Sequence, residues 1–342
     1  MADLIVYLSL FVIWMMLLYH IFLMRGGYMY SLRYQRIHQM WQKNMPAPPR
    51  VSILIPAHNE ELVIEDTLQA MVRLNFPKDK LEVILINDCS TDNTGVIAEN
   101  YARQYPFIKV VHTRPPLGGR GKSAALNQGL QHATGEIIVV YDADNVPEPD
   151  AVRNLVLALQ KDRKAGVVVG KFRVNNAGKN LLTRLINIET ITFQWLAQAG
   201  RWFWFRMVTI PGTNFAIRRS LLMELGGWDE QALAEDTELS IRVYNAGYHI
   251  RYFPAAVTWE QEPETWKVWW KQRTRWVRGN LYVFGKYLLG FRRLQNKKIL
   301  LDLVYFLFTY FLLFCGIVTS HGILLASLLG LVEITIGAVS YV

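Results

Sequence analysis

The sequence predicts an α/β domain built on a mostly parallel sheet, flanked by apolar segments long enough to cross a bilayer. Three observations carry that expectation. Short β-branched runs at 51–55, 81–86, 108–112 and 137–141 alternate with helical patterns at 61–74, after 94 and at 123–132, the order a parallel sheet covered by helices requires. Nearly unbroken apolar stretches of bilayer length lie at 4–24 and from 299 onward. Polar groups collect directly after the strands, where open α/β sheets take their ligands: His58 and Glu60 after the first, Asp88 after the second, Asp142 and Asp144 after the fourth.

The bulk numbers are consistent with this. The chain has 342 residues, enough for one large domain and some membrane segments. Hydrophobic residues make up 51%, with a mean hydropathy of +0.12, high for a soluble protein. A net charge of +9 suits nucleic acid, an anionic membrane surface or polyanionic small substrates. The two cysteines, Cys89 in a loop and Cys315 in an apolar span, do not make a disulfide framework, and Cys89 points to a reducing compartment.

Residues 4–24 contain one side chain that could charge, His20. The start Met1-Ala2-Asp3 has no basic residue and no small-residue cleavage pattern follows, so a retained anchor is expected rather than a cleaved signal. Arg25, Arg33 and Arg36 come next and place the following domain in the cytoplasm by the positive-inside rule. A basic linker is expected over 25–50, a catalytic domain over 51–260 and an interfacial amphipathic region over 261–298. Two transmembrane helices, separated by a break at Ser320-His321-Gly322, are expected over 299–342. Arg292, Arg293, Lys297 and Lys298 before the second span give the same topology as the first flank. Asp302 lies near an interface and Glu333 near mid-span, where a carboxylate faces other helices or a polar conduit. The last apolar run ends without a polar tail. The expectation is a chain that continues, or an end at the membrane surface.

Within the domain, further elements are expected: a helix over 150–161, a strand over 166–174, a turn at Pro211-Gly212-Thr213-Asn214, and a helix over 233–245 stopped by Gly247. The long apolar and aromatic stretch 181–205 is broken by Arg184, Asn187 and Glu189 and is not read as a membrane span.

Asp142 and Asp144 form a hard-oxygen pair suited to Mg²⁺ or Mn²⁺ carried with substrate phosphates; a helix-capping Asp beside a solvated one is the alternative. The loop Gly118-Gly119-Arg120-Gly121-Lys122-Ser123 is not a P-loop, because Pro116 stands where that motif needs its first glycine. It can still bring amides and Lys122 to a diphosphate at a helix start, or be a plain surface loop. Glu61 fits a capping role at a helix start, and Asp92 or Thr91 can cap the next helix. Asp88 is freer to hold a ligand hydroxyl or base edge. Glu235 and Asp236 stand at a helix start, where a carboxylate can be a cap or, facing a hydroxyl, a general base. On a helix, Gln272 shares a face with Arg275 or Trp276. Arg275 could bind phosphate and Trp276 could stack a sugar, whereas Trp266, Trp269 and Trp270 suit a membrane-interface helix.

Six strings, in this order, resemble the family-2 glycosyltransferases, and among them the membrane-embedded processive synthases of cellulose, hyaluronan and poly-N-acetylglucosamine. They are Ile55-Pro56-Ala57-His58-Asn59-Glu60, Asn87-Asp88-Cys89-Ser90-Thr91-Asp92, Gly121-Lys122 with Ala125-Leu126-Asn127, Asp142-Ala143-Asp144, Ala234-Glu235-Asp236, and Gln272-Arg273-Thr274-Arg275-Trp276. The resemblance spans roughly residues 51–279. It departs from many relatives at Ala234, where they carry Thr, and the Glu-Asp pair stays intact. The last string separates processive synthases from single-transfer members. The single amino-terminal span looks more like the poly-N-acetylglucosamine synthases.

The resemblance implies a GT-A domain flanked by transmembrane helices and an interfacial helix. It also implies inverting transfer from a UDP-sugar, with N-acetylglucosamine the first choice, to a growing extracellular polysaccharide. Asp236 would be the base. Asp142 and Asp144 would hold Mg²⁺ or Mn²⁺. Pro56, His58, Glu60 and Asp88 would line the nucleotide, and Lys122, Asp142 and Arg275 the diphosphate. Glu235, Gln272 and Trp276 would face the acceptor. The implied partners are the UDP-sugar, the polymer, the lipid bilayer and an accessory or export subunit, and no nucleic acid. The implied location is the plasma membrane, multi-pass, with the catalytic domain cytoplasmic. Two alternatives remain: single transfer to a lipid carrier, and a non-catalytic nucleotide-sugar-binding scaffold.

Overall fold

The computed structural model describes residues 2–290, 294 and 296–332. It divides into two units, Gly26–Asn296 and a second made of Met1–Arg25 with Lys297–Val342. Helix α1 (Ala2–Lys43) starts in the second unit and ends in the first.

The larger unit is organised by one sheet. Its strands are β1 (Val51–Ala57), β2 (Leu81–Asp88), β3 (Ile108–Thr113), β4 (Ile137–Val140), β5 (Val146–Pro147), β6 (Ala165–Val174), β7 (Phe215–Arg218) and β8 (His249–Glu260). They lie in the order β3-β2-β1-β4-β7-β6-β8-β5. The β3-β2-β1-β4 half is parallel, joined by α2 (Ile64–Arg73), α3 (Thr94–Gln104) and α4 (Lys122–His132). This is the α/β alternation that the sequence predicts, with element ends displaced by one to three residues. β7 enters antiparallel between β4 and β6, and β8 pairs parallel with β6. These later strands were not expected. β7 has only four residues between a turn and a helix, too short for a period to register.

Burial explains why the central strands are apolar on both faces. All of Ile137–Val140 is buried, because helices cover both sides. Ile53, Val83, Leu85 and Val139 pack with Ile64, Leu68 and Met71 of α2, and with Val152, Leu155 and Leu159 of α5 (Ala151–Lys161). Each such side chain contributes about 1.5–3 kcal/mol. Pro56 sits in β1 without an amide to donate. It lies beyond Leu54, the last β1 residue paired to β4, so only the β2 ladder passes it.

The segment 25–50, expected as a basic linker, is helix as far as Lys43; only the proline-rich end is irregular. The glycines Gly26 and Gly27 do not break it, because they are contact points. A Cβ on Gly26 would run into the Trp204 indole, and one on Gly27 into the Trp195 carbonyl. Further along, Tyr30 donates to the Tyr252 carbonyl (2.6 Å), His38 meets Asn154 (2.9 Å) and Trp41 stacks on Phe253.

The aromatic stretch is helical: α6 (Leu181–Thr192), a π-helical turn (Phe193–Gly200) and α7 (Arg201–Phe205). Gln194 exchanges two hydrogen bonds with the backbone of Phe172, and Gln198 two with that of Thr209. Then come α8 (Arg219–Glu224), α9 (Glu235–Asn245) and the amphipathic α10 (Trp266–Leu288), within the region 261–298 expected to be amphipathic.

In the smaller unit, α11 (Lys298–Leu307), a π turn (Phe308–Leu313) and α12 (Phe314–Leu328) run on as one helix. The break expected at Ser320-His321-Gly322 is therefore absent. Ser320 and His321 both bond the Ile317 carbonyl, so their polar groups are satisfied on the helix itself. By length and composition, Asp3–Lys43 and Phe311–Leu328 could each cross a membrane. Their apolar side chains are largely exposed, Phe11, Trp14 and Leu18 on one and Phe314, Val318 and Leu325 on the other. Arg292, Arg293, Glu333, the side chain of Asp302 and the end of the second expected carboxyl-terminal span lie outside the described residues.

Glu82 ties the sheet's edge together. It accepts from Ser52 of β1 (2.5 Å), from the amide and hydroxyl of Thr134 (2.6 and 2.8 Å) and from Lys109 of β3 (2.8 Å). Burial alone would raise its pKa, but the hydrogen bonds from Lys109, Ser52 and Thr134 outweigh that and hold it at about 2. A depressed carboxylate contributes stability above its unfolded value that is lost as pH falls toward the folded one. Glu82→Gln should therefore cost on the order of 2 kcal/mol in detergent-solubilised protein at pH 7. The difference from the parent in thermal unfolding should shrink as pH approaches about 2.

Candidate active site

The loops after β1 and β2 are laced to one another before any ligand arrives. The Glu60 amide donates to Thr94 (2.8 Å) and the Glu61 amide to Asp92 (3.1 Å), while the Asn93 amide donates back to Glu61 (3.0 Å). Asn59, at φ 58°, accepts from the Thr91 amide (2.8 Å). Asp92 accepts from the Thr94 amide at the start of α3 (3.0 Å), as expected of a cap. Glu61 also caps, but across the gap on α3 rather than at the start of its own helix. His58 bonds the Asp88 carbonyl (2.6 Å). The Asp88 carboxylate accepts through one oxygen from Thr113 (2.6 Å) and from the Gly119 amide (2.8 Å), so it staples the Gly-rich loop to the sheet. Its second oxygen remains available.

Lys122 opens α4, and its ammonium reaches into the cleft. It lies 2.5 Å from Asp142, 3.6 Å from Glu235 and 3.0 Å from the Gly212 carbonyl. Burial disfavours its charge, yet Asp142 first and Glu235 next hold its pKa above the usual lysine range. Gly212 has φ 86°, and a Cβ there would lie 3.3 Å from Asp236 and 3.6 Å from Lys122. The turn Pro211-Gly212-Thr213-Asn214 thus brings the end of β4 and the start of α9 to the same lysine. Thr213 completes the link: it accepts from the Asp142 amide (3.0 Å) and donates to buried Asn145. Sequence reasoning saw this stretch as a turn and missed what it holds. Its Gly-Thr-Asn, directly before an apolar run, is the signal that could have found it.

Asp144 is pushed up to about 7 by burial, then by Asp142 and Glu60. Glu60 is raised by burial, then Asp142. Glu260, at the end of β8, has one oxygen sealed from solvent without a partner. Burial, then Asp144 and Asp142, raises it strongly. The sequence reading did not single it out; its signal is a carboxylate closing an apolar alternating strand. Asp142, Asp144, Glu60 and Glu260 crowd one another, an excess of negative charge that a divalent cation would relieve. Among the described residues, no three His, Cys, Asp or Glu side chains gather closely enough to hold a metal alone. A cation here would take two carboxylates and complete its shell from substrate phosphates, the habit of Mg²⁺ and Mn²⁺.

Asp236, in the first turn of α9, is raised above the ordinary carboxylate range by burial and then by Glu235. Its Oδ1 accepts from the Thr237 amide (2.7 Å). Lys122, Asp142, Asp144, Glu60, Glu235 and Asp236 are therefore one constellation.

The α10 residues are not drawn into that constellation. Gln272 accepts from Arg273 (3.1 Å), Trp276 lies under the Arg273 guanidinium (4.1 Å) and is 42% exposed, and Arg275 is exposed. What joins α10 to the cleft lies one turn on. Asn280 accepts from Thr237 (3.1 Å), and Gly279 packs on Ala234.

A sheet parallel through β3-β2-β1-β4 and antiparallel at β7, with paired aspartates after β4 and a carboxylate at the start of α9, has the architecture of a GT-A-like glycosyltransferase. The chain belongs to glycosyltransferase family 2: residues 48–279 match the model "Glycosyltransferase like family 2". It is 59% identical over 337 residues to the "Probable glycosyltransferase YdaM" of Bacillus subtilis (strain 168), covering 98% of this chain and 80% of that one. It is 32% identical over 229 residues to the poly-beta-1,6-N-acetyl-D-glucosamine synthase of Staphylococcus epidermidis. That match covers 67% of this chain and 54% of the synthase, so it spans about half the relative's length. Among solved structures it resembles the mannosyltransferase PcManGT from Pyrobaculum calidifontis in complex with GDP-Man and Mn²⁺. The TM-score is 0.67 and the identity 26%, over 91% of this chain and 86% of that one.

A Cβ on Gly279 would meet the Ala234 Cβ at 2.8 Å and its backbone nitrogen at 2.9 Å. Gly279→Ala should push α10 off the Glu235–Asp236 turn. A misplacement of about 1 Å costs roughly 10²-fold in rate. The check is turnover beside thermal unfolding, with Gly285→Ala, which has nothing within 4 Å, as the unaffected control.

Proposed function

We propose that this family-2 glycosyltransferase is an inverting, processive synthase. It adds a sugar from a UDP-sugar, N-acetylglucosamine as first choice, to the end of a growing β-linked extracellular polysaccharide. The observation that carries the reading is the Lys122–Asp142–Glu235 cluster with Asp236 beside it. It puts a diphosphate-compensating cation and a base-strength carboxylate on one cleft. The similarity to the poly-N-acetylglucosamine synthase supports the choice of sugar and polymer.

In this mechanism Asp236 takes the proton of the acceptor hydroxyl. The hydroxyl oxygen attacks the anomeric carbon, and the bond from that carbon to the diphosphate oxygen breaks, releasing UDP. Burial and Glu235 raise the basicity of Asp236 toward what this transfer needs. Lys122 leaves its carboxylates for the diphosphate, joined by Arg275 once donor fills the cleft. Mg²⁺ or Mn²⁺ held by Asp142 and Asp144 would neutralise charge on the departing diphosphate. Pro56, His58, Glu60 and the free oxygen of Asp88 line the uridine, and Glu235, Gln272 and Trp276 orient the acceptor sugar. The helices Asp3–Lys43 and Phe311–Leu328 anchor the chain in the plasma membrane, multi-pass, with the catalytic domain cytoplasmic. An accessory or export subunit completes the conduit for the polymer.

The GDP-Man complex of the structural relative favours a second reading, single transfer from GDP-mannose. A labelled-donor panel on membranes decides: long polymer from UDP-N-acetylglucosamine supports the synthase, and a one-sugar product from GDP-mannose overturns it. Asp236→Asn should lower turnover by about 10²–10⁴ while donor binding persists. A base with a raised pKa must be ionised to act, so activity should fall as pH drops through that elevated value. Glu235→Gln removes the second cause of the shift and should move the acid limb of kcat/KM to lower pH.

A further inference from the structure

A cavity of about 780 Å³ opens at the amino-terminal ends of β1 and β4, at the opposite end of the sheet from the aspartates. Its walls include Pro46 and Pro49 from the segment joining α1 to β1, Ile137 at the start of β4, and Met223 of α8. Its charge is one-sided. Lys161, Arg163, Arg218 and Arg219 line it against a single carboxylate, Glu136. Among the described residues Lys161, Arg163 and Arg219 form no ion pair. Arg219 also keeps its Nε sealed from solvent with no hydrogen-bond partner, the cost of a charged donor held ready. Arg218 is fixed by carbonyls rather than by a carboxylate: it donates to Ala165 (3.0 Å) and Leu159 (2.7 Å), the latter at the end of α5. Glu136 is itself engaged, its Oε1 accepting from the Arg50 amide (3.4 Å) and its carbonyl from the Arg219 amide (2.9 Å).

We propose that this cavity is a second binding site, for a phosphate-bearing anion of nucleotide or headgroup size. The volume is that of a small-ligand pocket. Guanidinium forks match phosphate oxygens in pairs, and the flat apolar walls of Pro46, Pro49 and Met223 suit the organic part of such a ligand. A ligand seated there touches the segment between α1 and the first strand, so it braces the junction by which the catalytic sheet hangs from that helix.

The test is calorimetric titration of the whole chain in neutral micelles with inorganic pyrophosphate, in EDTA so that no cation bridges the probe to the aspartates. Arg163→Ala, an exposed change that does not threaten folding, and Arg219→Ala should each weaken pyrophosphate about tenfold, the worth of one charge-assisted hydrogen bond. Arg219→Lys should recover part of the loss, and Lys122→Ala, which removes pyrophosphate binding in the cleft, should leave the component that depends on Arg163 and Arg219 intact. Binding indifferent to Arg163 and Arg219, or abolished by Lys122→Ala alone, overturns the proposal. Short-chain phosphatidylglycerol added to the micelles separates the sources. Competition with pyrophosphate assigns the site to a lipid headgroup. Without competition, the cavity is assigned to a soluble phosphorylated ligand. Either result upholds the site.

Discussion

One ammonium group organises the catalytic cleft. Among the described residues Lys122 is the cation that meets Asp142, Glu235 and the Gly212 carbonyl, and its position is set by three different parts of the chain. β4 brings Asp142, the first turn of α9 brings Glu235, and the left-handed Gly212 lets the connecting turn pass close enough to offer its carbonyl. A carboxylate cluster of this density would repel itself apart without such a counter-charge. The sheet therefore matters less as a platform than as a device for converging loop ends on one lysine. The loops after β1 and β2 are cross-laced to one another, with the Glu61 and Asp92 carboxylates accepting from backbone amides across the gap.

Much of this was legible in the sequence. The first four strands alternate with helices at a clear period, and the first, second and fourth are followed by polar residues, so Glu60, Asp88, Asp142 and Asp144 stood out by position, and Asp236 by its place at a helix start. Lys122 stood out as a charged residue at a helix start. The rest was hidden for identifiable reasons. β7 is too short to show alternation, and Thr213 and Asn145 act through a contact between residues 68 apart in the chain. Glu260 reads as the tail of an apolar strand, and only its burial beside Asp142 and Asp144 gives it meaning. The segment 25–50 read as a basic linker, and its helical Gly26-Gly27 became intelligible only once the tryptophans packed on it were placed.

The helical string Gln272 to Trp276 shows the opposite case. Its composition announced chemistry, yet its contacts are mostly within α10: Arg273 spans Gln272 and Trp276 and reaches Glu189 of α6 (2.6 Å). The link from α10 to the cleft is made by small and neutral residues, Gly279 and Asn280. At Gly279 the absent side chain sets how closely the helix passes the Glu235–Asp236 turn.

Gln194 and Gln198 deserve a last consequence. Each presents a carboxamide to a backbone amide and carbonyl, imitating the edge of a neighbouring strand. A peptide group is the same whatever side chain it carries. The carboxamide grip is blind to the identity of Phe172 and Thr209, but their side chains add holds of their own on the same segment: the Phe172 ring lies against Phe193, and the Thr209 hydroxyl accepts from Arg201 (3.4 Å).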